Sequence, residues 1–269
     1  MASAVDGPAG TSCVVTGGAR GIGREIARLL VAQGHAVVLT DIDGAAAAET
    51  AAAVGAAEGL AQDVREELSH TEVAAAAQRH GRLVAWFNNA GVGHDGTLAE
   101  LTAEQVRRLV DVNLGGVLWG TRAALEAFGP HGRGDVVNVA SLSGLGPVPG
   151  LSVYAATKAA VVSLTMSVDA EAPPGVGVHA VCPDGVRTNL VREMAHDGLA
   201  KALVHSGGGL LDPAEVARAA VDLVGSSRVV RTMPGWRGGM MRATSLAPRL
   251  AARGLAVVRK QGERTMRRG

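Results

Sequence analysis

A tyrosine and a lysine four residues apart are the clearest candidates for chemistry in this chain of 269 residues. Tyr154 is the only tyrosine, Lys158 follows it by one helical turn, and Ser141 precedes it. If this segment is a helix, residues i and i+4 share a face, so the ammonium can lie beside the phenol. A neighbouring cation lowers a phenol pKa from about 10 toward neutrality. Tyr154 is then a candidate general acid/base, and the alternative is a chance pair on a solvated helix face.

A glycine-rich turn near the N-terminus has the features of a phosphate-binding segment. The run 12–16 is typical of a buried strand, TGGARGIG covers residues 16–23, and a helical pattern follows. Gly17, Gly21 and Gly23 let the backbone turn tightly and approach a pyrophosphate, whose charge meets the N–H groups and dipole at the helix N-terminus. The segment therefore predicts a dinucleotide site.

The residue that ends the second predicted strand bears on the choice of dinucleotide. Asp41 follows the strand 36–40, where a carboxylate can accept hydrogen bonds from the adenosine ribose and repel a 2′-phosphate. NAD is therefore favoured over NADP. Two alternatives stay open: Asp41 and Asp43 could simply cap the next helix, and Arg20 could attract a 2′-phosphate.

Strands and helices alternate along the rest of the chain. This alternation predicts an α/β fold, a single-domain doubly wound parallel sheet flanked by helices on both faces. Ligands bind such sheets outside the carboxyl ends of the strands, which is where Asp63, the NNAG segment 88–91, Ser141 and Pro183 fall. Further strands are predicted near residue 60 and at 83–87, 135–140 and 176–182.

A long helix is predicted over residues 102–127, with Asn113 and the pair Gly115 and Gly116 in its middle. A polar residue beside two glycines costs helix stability, so a kink or a close packing contact is expected there. Functional and structural explanations of Asn113 are equally open at this point.

Composition limits the classes of function. A formal net charge of +1 gives no global case for nucleic-acid binding. Cys13 and Cys182 lie in apolar runs typical of core residues, which suits a reducing cytoplasm. The histidines lack metal-ligand spacing, so no metal is predicted. With no long apolar run, we expect a soluble or at most peripheral protein whose residues 1–10 form a flexible leader.

The motifs together resemble those of the short-chain dehydrogenase/reductase (SDR) family over residues 11 to about 235. They are TGGARGIG, NNAG, Asn113, Ser141, and Tyr154 with Lys158. The resemblance implies a Rossmann fold, a homodimer or homotetramer, and an NAD(P)-dependent oxidoreductase that interconverts a secondary alcohol and a ketone by hydride transfer. The alternative is a catalytically silent cofactor-sensing or scaffold protein, although such proteins usually lack the tyrosine or the lysine.

The resemblance also implies residue roles. Tyr154 would exchange a proton with the substrate oxygen and Ser141 would hydrogen-bond that oxygen, with Ser143 as a less favoured substitute. Lys158 would lower the tyrosine pKa and bind the nicotinamide ribose. Asn113 would hold a water in a proton relay. The implied cofactor-binding residues are Gly17, Arg20, Gly21, Ile22, Gly23, Asp41, Asp63, Val64, Asn89, Ala90, Gly91, Tyr154, Lys158, Pro183, Val186 and Thr188.

Two positions depart from the family pattern: Asp184 replaces the usual glycine after Pro183, and Val84 replaces a common aspartate. Within the domain 11–241, residues 189–211 correspond to a substrate lid with a glycine hinge at 207–209. An apolar lid favours a hydrophobic steroid-, terpenoid- or lipid-like alcohol or ketone, and plain packing of a helical hairpin is the alternative. Its apolar residues are Leu190, Val191, Met194, Leu199, Leu203, Leu210 and Leu211.

The segment 242–269 is strongly basic, with eight Lys or Arg residues and one acid, Glu263. A basic amphipathic helix there, with Leu246, Leu250, Val257 and Val258 on one face, could lie on an anionic membrane or an acidic partner. A solvated extension or an oligomer contact is the alternative.

Overall fold

The computed structural model describes residues 10–192, 194, 199–207, 209–246 and 249. Four sequence predictions fall wholly or partly outside these residues. They are the leader up to residue 9, the lid side chain of Leu199, the hinge residue Gly208, and most of the basic tail, including Leu250, Val257 and Val258.

Strands and helices alternate along the described chain. The strands are β1 Thr11–Thr16, β2 Ala36–Asp41, β3 Glu58–Ala61, β4 Arg82–Asn88, β5 Gly134–Val139, β6 Val176–Pro183 and β7 Val230–Met233. The helices are α1 Gly21–Ala32, α2 Gly44–Val54, α3 Glu67–Arg79, α4 Ala103–Val110, α5 Gly116–Phe128, α6 Ser152–Glu171, α7 Asn189–Arg192, α8 Leu199–His205, α9 Pro213–Val221 and α10 Gly235–Leu246. Helix α10 runs across residue 242, where the basic tail begins.

The strands form one parallel sheet in the order β3-β2-β1-β4-β5-β6-β7. The order reverses between β1 and β4, which opens a crevice beyond the carboxyl ends of these strands. The predicted doubly wound sheet is thus confirmed. Six of its strands match the sequence prediction closely, whereas β7 was not predicted because its four half-buried residues show no apolar alternation.

Apolar residues on both faces of the sheet explain the layers of helices. Val15 and Leu39 pack in one cluster with α1, α2 and α9, and Val14 and Val38 pack in another with α3 and α5. Successive strand residues point to opposite faces, so a continuous apolar run is buried on both sides. Small side chains in the helices let them approach closely: a Cβ on Gly120 of α5 would lie 2.9 Å from Trp86 Nε1.

The predicted interruption of the long helix is real. Between α4 and α5, residues Asp111–Gly115 form a π-helical turn, and Asn113 within it is fully buried. Its side-chain amide donates to Val92 O (2.9 Å) and accepts from Val92 N (2.8 Å). A π turn contains one more residue than an α-helical turn and therefore shifts the helix register by one residue. This shift directs Asn113 toward the loop after β4, while α5 still packs on the sheet.

A buried charged histidine ties β5 and β6 to the loop before β7. The ring nitrogens of His179 each meet an acceptor, with Nδ1 2.9 Å from Arg228 O and Nε2 2.9 Å from an Asp135 carboxylate oxygen. Two acceptors are best matched by two N–H groups, so this geometry favours the protonated imidazole. Burial opposes that charge, but the hydrogen bonds to Asp135 and Arg228 outweigh it and raise the pKa of His179.

Candidate active site

The glycine turn between β1 and α1 is held by the chain that leaves β4. Asn89 Nδ2 donates to the carbonyls of Thr16 (2.9 Å) and Gly17 (2.8 Å), and Thr16 Oγ1 accepts from the N–H groups of Asn89 and Ala90 (both 3.1 Å). Gly17 has a left-handed φ of +62°, and a Cβ there would lie 2.8 Å from Ala90 Cα. A Cβ on Gly23 would overlap the Gly17 carbonyl. Two of the sequence motifs thus form one rigid unit.

Helix α1 begins in this turn with its N-terminal N–H groups unprotected by a side chain. Arg20 is the N-cap residue, makes no side-chain capping bond and is exposed, and no acidic residue lies in the first turn. Gly21 has a φ of +56° and lies near the Thr188 methyl group. Free N–H groups and the helix dipole together suit an anionic group such as a phosphate.

Asp41 and Asp43 have different roles. Asp43 caps α2 by accepting from Ala46 N (3.1 Å). Asp41 lies at the end of β2 and accepts weakly from Ala19 N in the glycine turn (3.3 Å). The capping function therefore belongs to Asp43, and the half-buried Asp41 carboxylate faces the turn.

The loop after β3 carries Asp63 and Val64. Arg65 hydrogen-bonds the Asp63 carboxylate, with Nε 2.9 Å from Oδ1, and thereby lowers the pKa of Asp63. Val64 is buried against Gly116, where a Cβ would lie 2.8 Å from a Val64 methyl. Both residues lie beyond the carboxyl end of β3, as predicted, and their contact with a cofactor stays a prediction.

One pocket gathers the three residues with which the sequence analysis began. Ser141 follows β5, and Tyr154 and Lys158 lie one turn apart on α6, so all three line the pocket together with Ile22 of the glycine turn. The Ser141 hydroxyl donates to Ser143 Oγ (3.2 Å) and accepts from Ser143 N (3.1 Å), and its interaction with Tyr154 acts to lower the tyrosine pKa. The hydroxyls of Ser141 and Tyr154 can therefore hydrogen-bond the same substrate atom.

Burial governs the proton affinity of both α6 side chains. It raises the pKa of Tyr154 to about 12, although the Ser141 hydrogen bond acts in the opposite direction. It lowers the pKa of Lys158 to about 8. Lys158 Nζ donates to Val139 O (2.8 Å) and lies 5.8 Å from the tyrosine ring centroid. Burial is thus the largest effect on the tyrosine pKa among the protein groups, and the expected lowering of that pKa by Lys158 stays a prediction.

Asn113 lies behind the pocket rather than in it. Gly91 lies between Asn113 and Lys158: a Cβ on Gly91 would be 3.3 Å from Asn113 Oδ1 and 3.7 Å from Lys158 Nζ. The Asn113 amide is occupied by both backbone groups of Val92. Its visible function is to hold the loop after β4, and the water relay stays a prediction.

The loop after β6 and the lid close the opposite side. Pro183, Asp184, Val186 and Thr188 line the pocket, and Val186 is joined to Leu211 in a parallel bridge. Of the predicted apolar lid residues, three line the pocket, and Val204 of α8 and Leu151 before α6 were not predicted. The apolar pocket residues on this side are Leu151, Val186, Leu190, Val191, Met194 and Val204.

Several positioning residues had no assigned role in the sequence analysis. Asn88 at the end of β4 donates to Asn138 Oδ1 (2.9 Å), and Asn138 of β5 donates to Thr165 of α6 (3.0 Å). These buried amides connect the ends of β4 and β5 to helix α6. Asn88 and Asn138 could have been found from the sequence, because each is an asparagine at the same level of its predicted strand. Nothing in the sequence indicates that Arg237 of α10 contacts Asp184.

Within the described ranges, no helix is long and apolar enough to cross a bilayer. Among the same residues, no three His, Cys, Asp or Glu side chains are grouped as a metal site would require.

The chain is similar in sequence to bacterial oxidoreductases. It is 39% identical over 184 residues to the probable oxidoreductase EphD of Mycobacterium tuberculosis, a match covering 66% of this chain but only 31% of that protein. It is 35% identical over 217 residues to a 3-alpha-(or 20-beta)-hydroxysteroid dehydrogenase of the same species, covering 80% of this chain and 82% of the relative.

Solved structures share the whole fold. An actinorhodin polyketide ketoreductase crystallised with NADPH superposes with a TM-score of 0.76 at 28% identity, covering 85% of this chain and 97% of the other. A 3-ketoacyl-(acyl-carrier-protein) reductase from Brucella melitensis complexed with NADH gives 0.74 at 30% identity, covering 82% and 95%. The family model for short chain dehydrogenases matches residues 11–198, more than half of the chain. The chain therefore belongs to the short-chain dehydrogenase family.

Proposed function

We propose that this chain is an NAD-dependent oxidoreductase that interconverts a hydrophobic secondary alcohol and its ketone. The observation that carries the proposal is the single pocket in which Ser141, Tyr154 and Lys158 lie opposite the glycine turn. A hydroxysteroid dehydrogenase and a polyketide ketoreductase among the similar proteins support this class of reaction.

The residues of the pocket divide the chemistry between them. A bound nicotinamide would supply or accept the hydride. The hydroxyls of Ser141 and Tyr154 hydrogen-bond the substrate oxygen, and Tyr154 passes a proton to it during ketone reduction or takes one during alcohol oxidation. Lys158 contributes positive charge beside the phenol and a donor for the nicotinamide ribose. Asn113 holds the loop after β4 through its hydrogen bonds to the backbone of Val92.

Asp41 supports the choice of NAD. Its carboxylate borders the glycine turn, where it would accept hydrogen bonds from two ribose hydroxyls and repel a 2′-phosphate. The solved relatives include complexes with NADPH and with NADH, so the proposal depends on this residue and not on the family.

The substrate class follows from the far wall of the pocket. Leu190, Val191, Met194 and Val204 present apolar surface there, and water leaves such surface favourably when an apolar group covers it. A steroid-, terpenoid- or lipid-like skeleton fits this chemistry better than a small polar alcohol does.

The test is NAD reduction with a panel of hydrophobic secondary alcohols and a matched polar panel. Tyr154→Phe removes only the hydroxyl, so turnover is expected to fall by about 10²- to 10⁴-fold, the usual contribution of a general acid/base, while NAD affinity stays nearly unchanged. Ser141→Ala should cost more than Ser143→Ala because Ser141 is the hydroxyl that acts to lower the pKa of Tyr154. Full activity in Tyr154→Phe would refute the mechanism, and NAD binding without turnover on any substrate would favour the silent scaffold.

We also propose a homo-oligomer in the cytoplasm. Val110, Leu118 and Met166 leave apolar side chains exposed on α4, α5 and α6, and a second copy could cover them. Peripheral membrane contact through the basic tail is supported only by its charge and by the exposed Trp236 and Leu246 of α10.

A further inference from the structure

A buried ion pair lies beneath the lid, outside the groups that the proposed reaction uses. Arg237 of α10 and Asp184, in the turn after β6, approach to 2.9 Å between Nε and Oδ2, with side chains only 9% and 11% exposed. Arg237 Nη2 also donates to Ser206 Oγ (3.2 Å), one residue beyond α8. One guanidinium therefore joins three segments that are distant in sequence.

The pair is not an ideally satisfied one. Nε lies close to the carboxylate, yet its N–H is not aligned with any acceptor, so the contact is held by charge more than by hydrogen-bond geometry. Burial raises the pKa of Asp184 even though the charge of Arg237 opposes this. Removing one partner of such a pair leaves an uncompensated buried charge, which costs far more than removing both.

The position of the pair connects it to the pocket. Asp184 and Gly185 line the pocket from the β6 side, and Val204 lines it from α8. The contact between these walls is tight: a Cβ on Gly185 would meet Val204, and a Cβ on Gly207 would meet Arg237 Nη1 at 2.6 Å. The guanidinium lies at the junction where α8 rests on the turn.

We propose that Arg237 is a positioning residue that fixes lid helix α8 on the Pro183–Gly185 turn and so keeps the apolar wall of the pocket in place. The role in catalysis rests on the proposed function, but the fixing of α8 does not. Through Asp184 the guanidinium sets the turn, and through Ser206 it sets the end of the helix. Arg237 thus acts on the substrate without touching it.

The experiment compares Arg237→Met, Asp184→Asn and the double variant, with Gly239→Ala as a control in the same helix, where an added Cβ meets nothing within 4 Å. Amide hydrogen exchange of residues 199–207 reports on α8 without turnover. In Arg237→Met we expect exchange there to accelerate by on the order of 10-fold, the equivalent of about 1.4 kcal/mol, with the core strands unaffected. In the double variant the global stability should recover toward the wild type, because no buried charge is left unpaired. Its exchange over residues 199–207 should stay fast, because the guanidinium that joins α8 to the turn is still missing. Gly239→Ala should exchange at the wild-type rate.

Kinetics give the second readout. Substrate KM should rise in Arg237→Met by on the order of 10-fold, with kcat and NAD affinity changed much less, since the lid contacts substrate. Ser206→Ala, a milder change, should give the same pattern at smaller size if Arg237→Met does not fold. The proposal would be overturned by unchanged exchange of residues 199–207 in Arg237→Met, or by a double variant whose exchange there returns to the wild-type rate. Failure of the proposed function would instead abolish turnover while leaving the exchange result intact.

Discussion

Asp41 offers the sharpest test of the proposed cofactor. Asp41→Asn keeps the size and one acceptor oxygen of the side chain but removes its charge. The carboxylate lies at the end of β2 with two weak bonds, from Ala19 N and Asp43 N (both 3.3 Å), so little of the local structure depends on the charge. After this change the glycine turn, residues 16–23, still carries the exposed and positively charged Arg20.

The size of the effect follows from two terms. A hydrogen bond to a charged group contributes about 1.5–3 kcal/mol, against about 1 kcal/mol for a neutral one. A 2′-phosphate about 4 Å from a carboxylate is repelled by about 1 kcal/mol per unit charge in water and about 4 kcal/mol at an effective dielectric of 20. Because Asp41 is only half-buried, we take a repulsion energy in the lower part of the range from about 1 to about 4 kcal/mol. The ratio of kcat/KM for NAD to that for NADP should fall on the order of 100-fold, or about 2.7 kcal/mol.

Asp43→Asn is the matched control. It removes the same charge two residues away, and asparagine caps a helix about as well as aspartate does, so α2 should be retained. Steady-state kinetics with both cofactors at low and moderate salt complete the assay, since the repulsive term weakens with ionic strength. The reasoning is refuted if the wild type prefers NADP, or if Asp43→Asn shifts the ratio as much as Asp41→Asn.

Two further predictions concern other elements. His179 has a raised pKa, so the stability from its pair with Asp135 is present below about pH 6.5 and is lost as pH rises through the folded-state pKa. Urea unfolding of the wild type from pH 6 to 9 should show this loss of stability. In His179→Gln the pH-dependent loss should be absent. Gly23→Ala would place a methyl group on the Gly17 carbonyl, so NAD binding measured by titration should be abolished, whereas Gly239→Ala should bind normally.

Features that depend on neighbouring residues were predictable from the sequence. The glycine turn and the strand ends follow from local patterns of apolar, glycine and polar residues. The break at Asn113 was expected from the cost of a polar residue beside two glycines, although its form as a π turn follows from the bond to Val92, 21 residues earlier.

Features that depend on tertiary packing were not predictable. Arg237 reaches Asp184 across 53 residues, and nothing in the local sequence of either residue indicates the other. The same limit applies to β7, whose half-buried residues pair with β6 without any apolar period of their own. In each case the contact that fixes the structure joins two segments, and the sequence pattern of neither segment indicates the contact.

The protonation of Tyr154 shows most clearly how packing changes a conclusion drawn from spacing. A lysine one turn away indicates a phenol that is easily ionised, yet burial raises the tyrosine pKa to about 12 and lowers that of Lys158 to about 8. At neutral pH a phenol with this pKa holds its proton, which is the state that the proposed reduction of a ketone needs. Acting as a base on an alcohol requires additional positive charge close to the ring, since a cation within about 4–6 Å favours the phenolate. A bound oxidised nicotinamide would supply positive charge, so in the proposed oxidation we expect the cofactor to bind before Tyr154 gives up its proton.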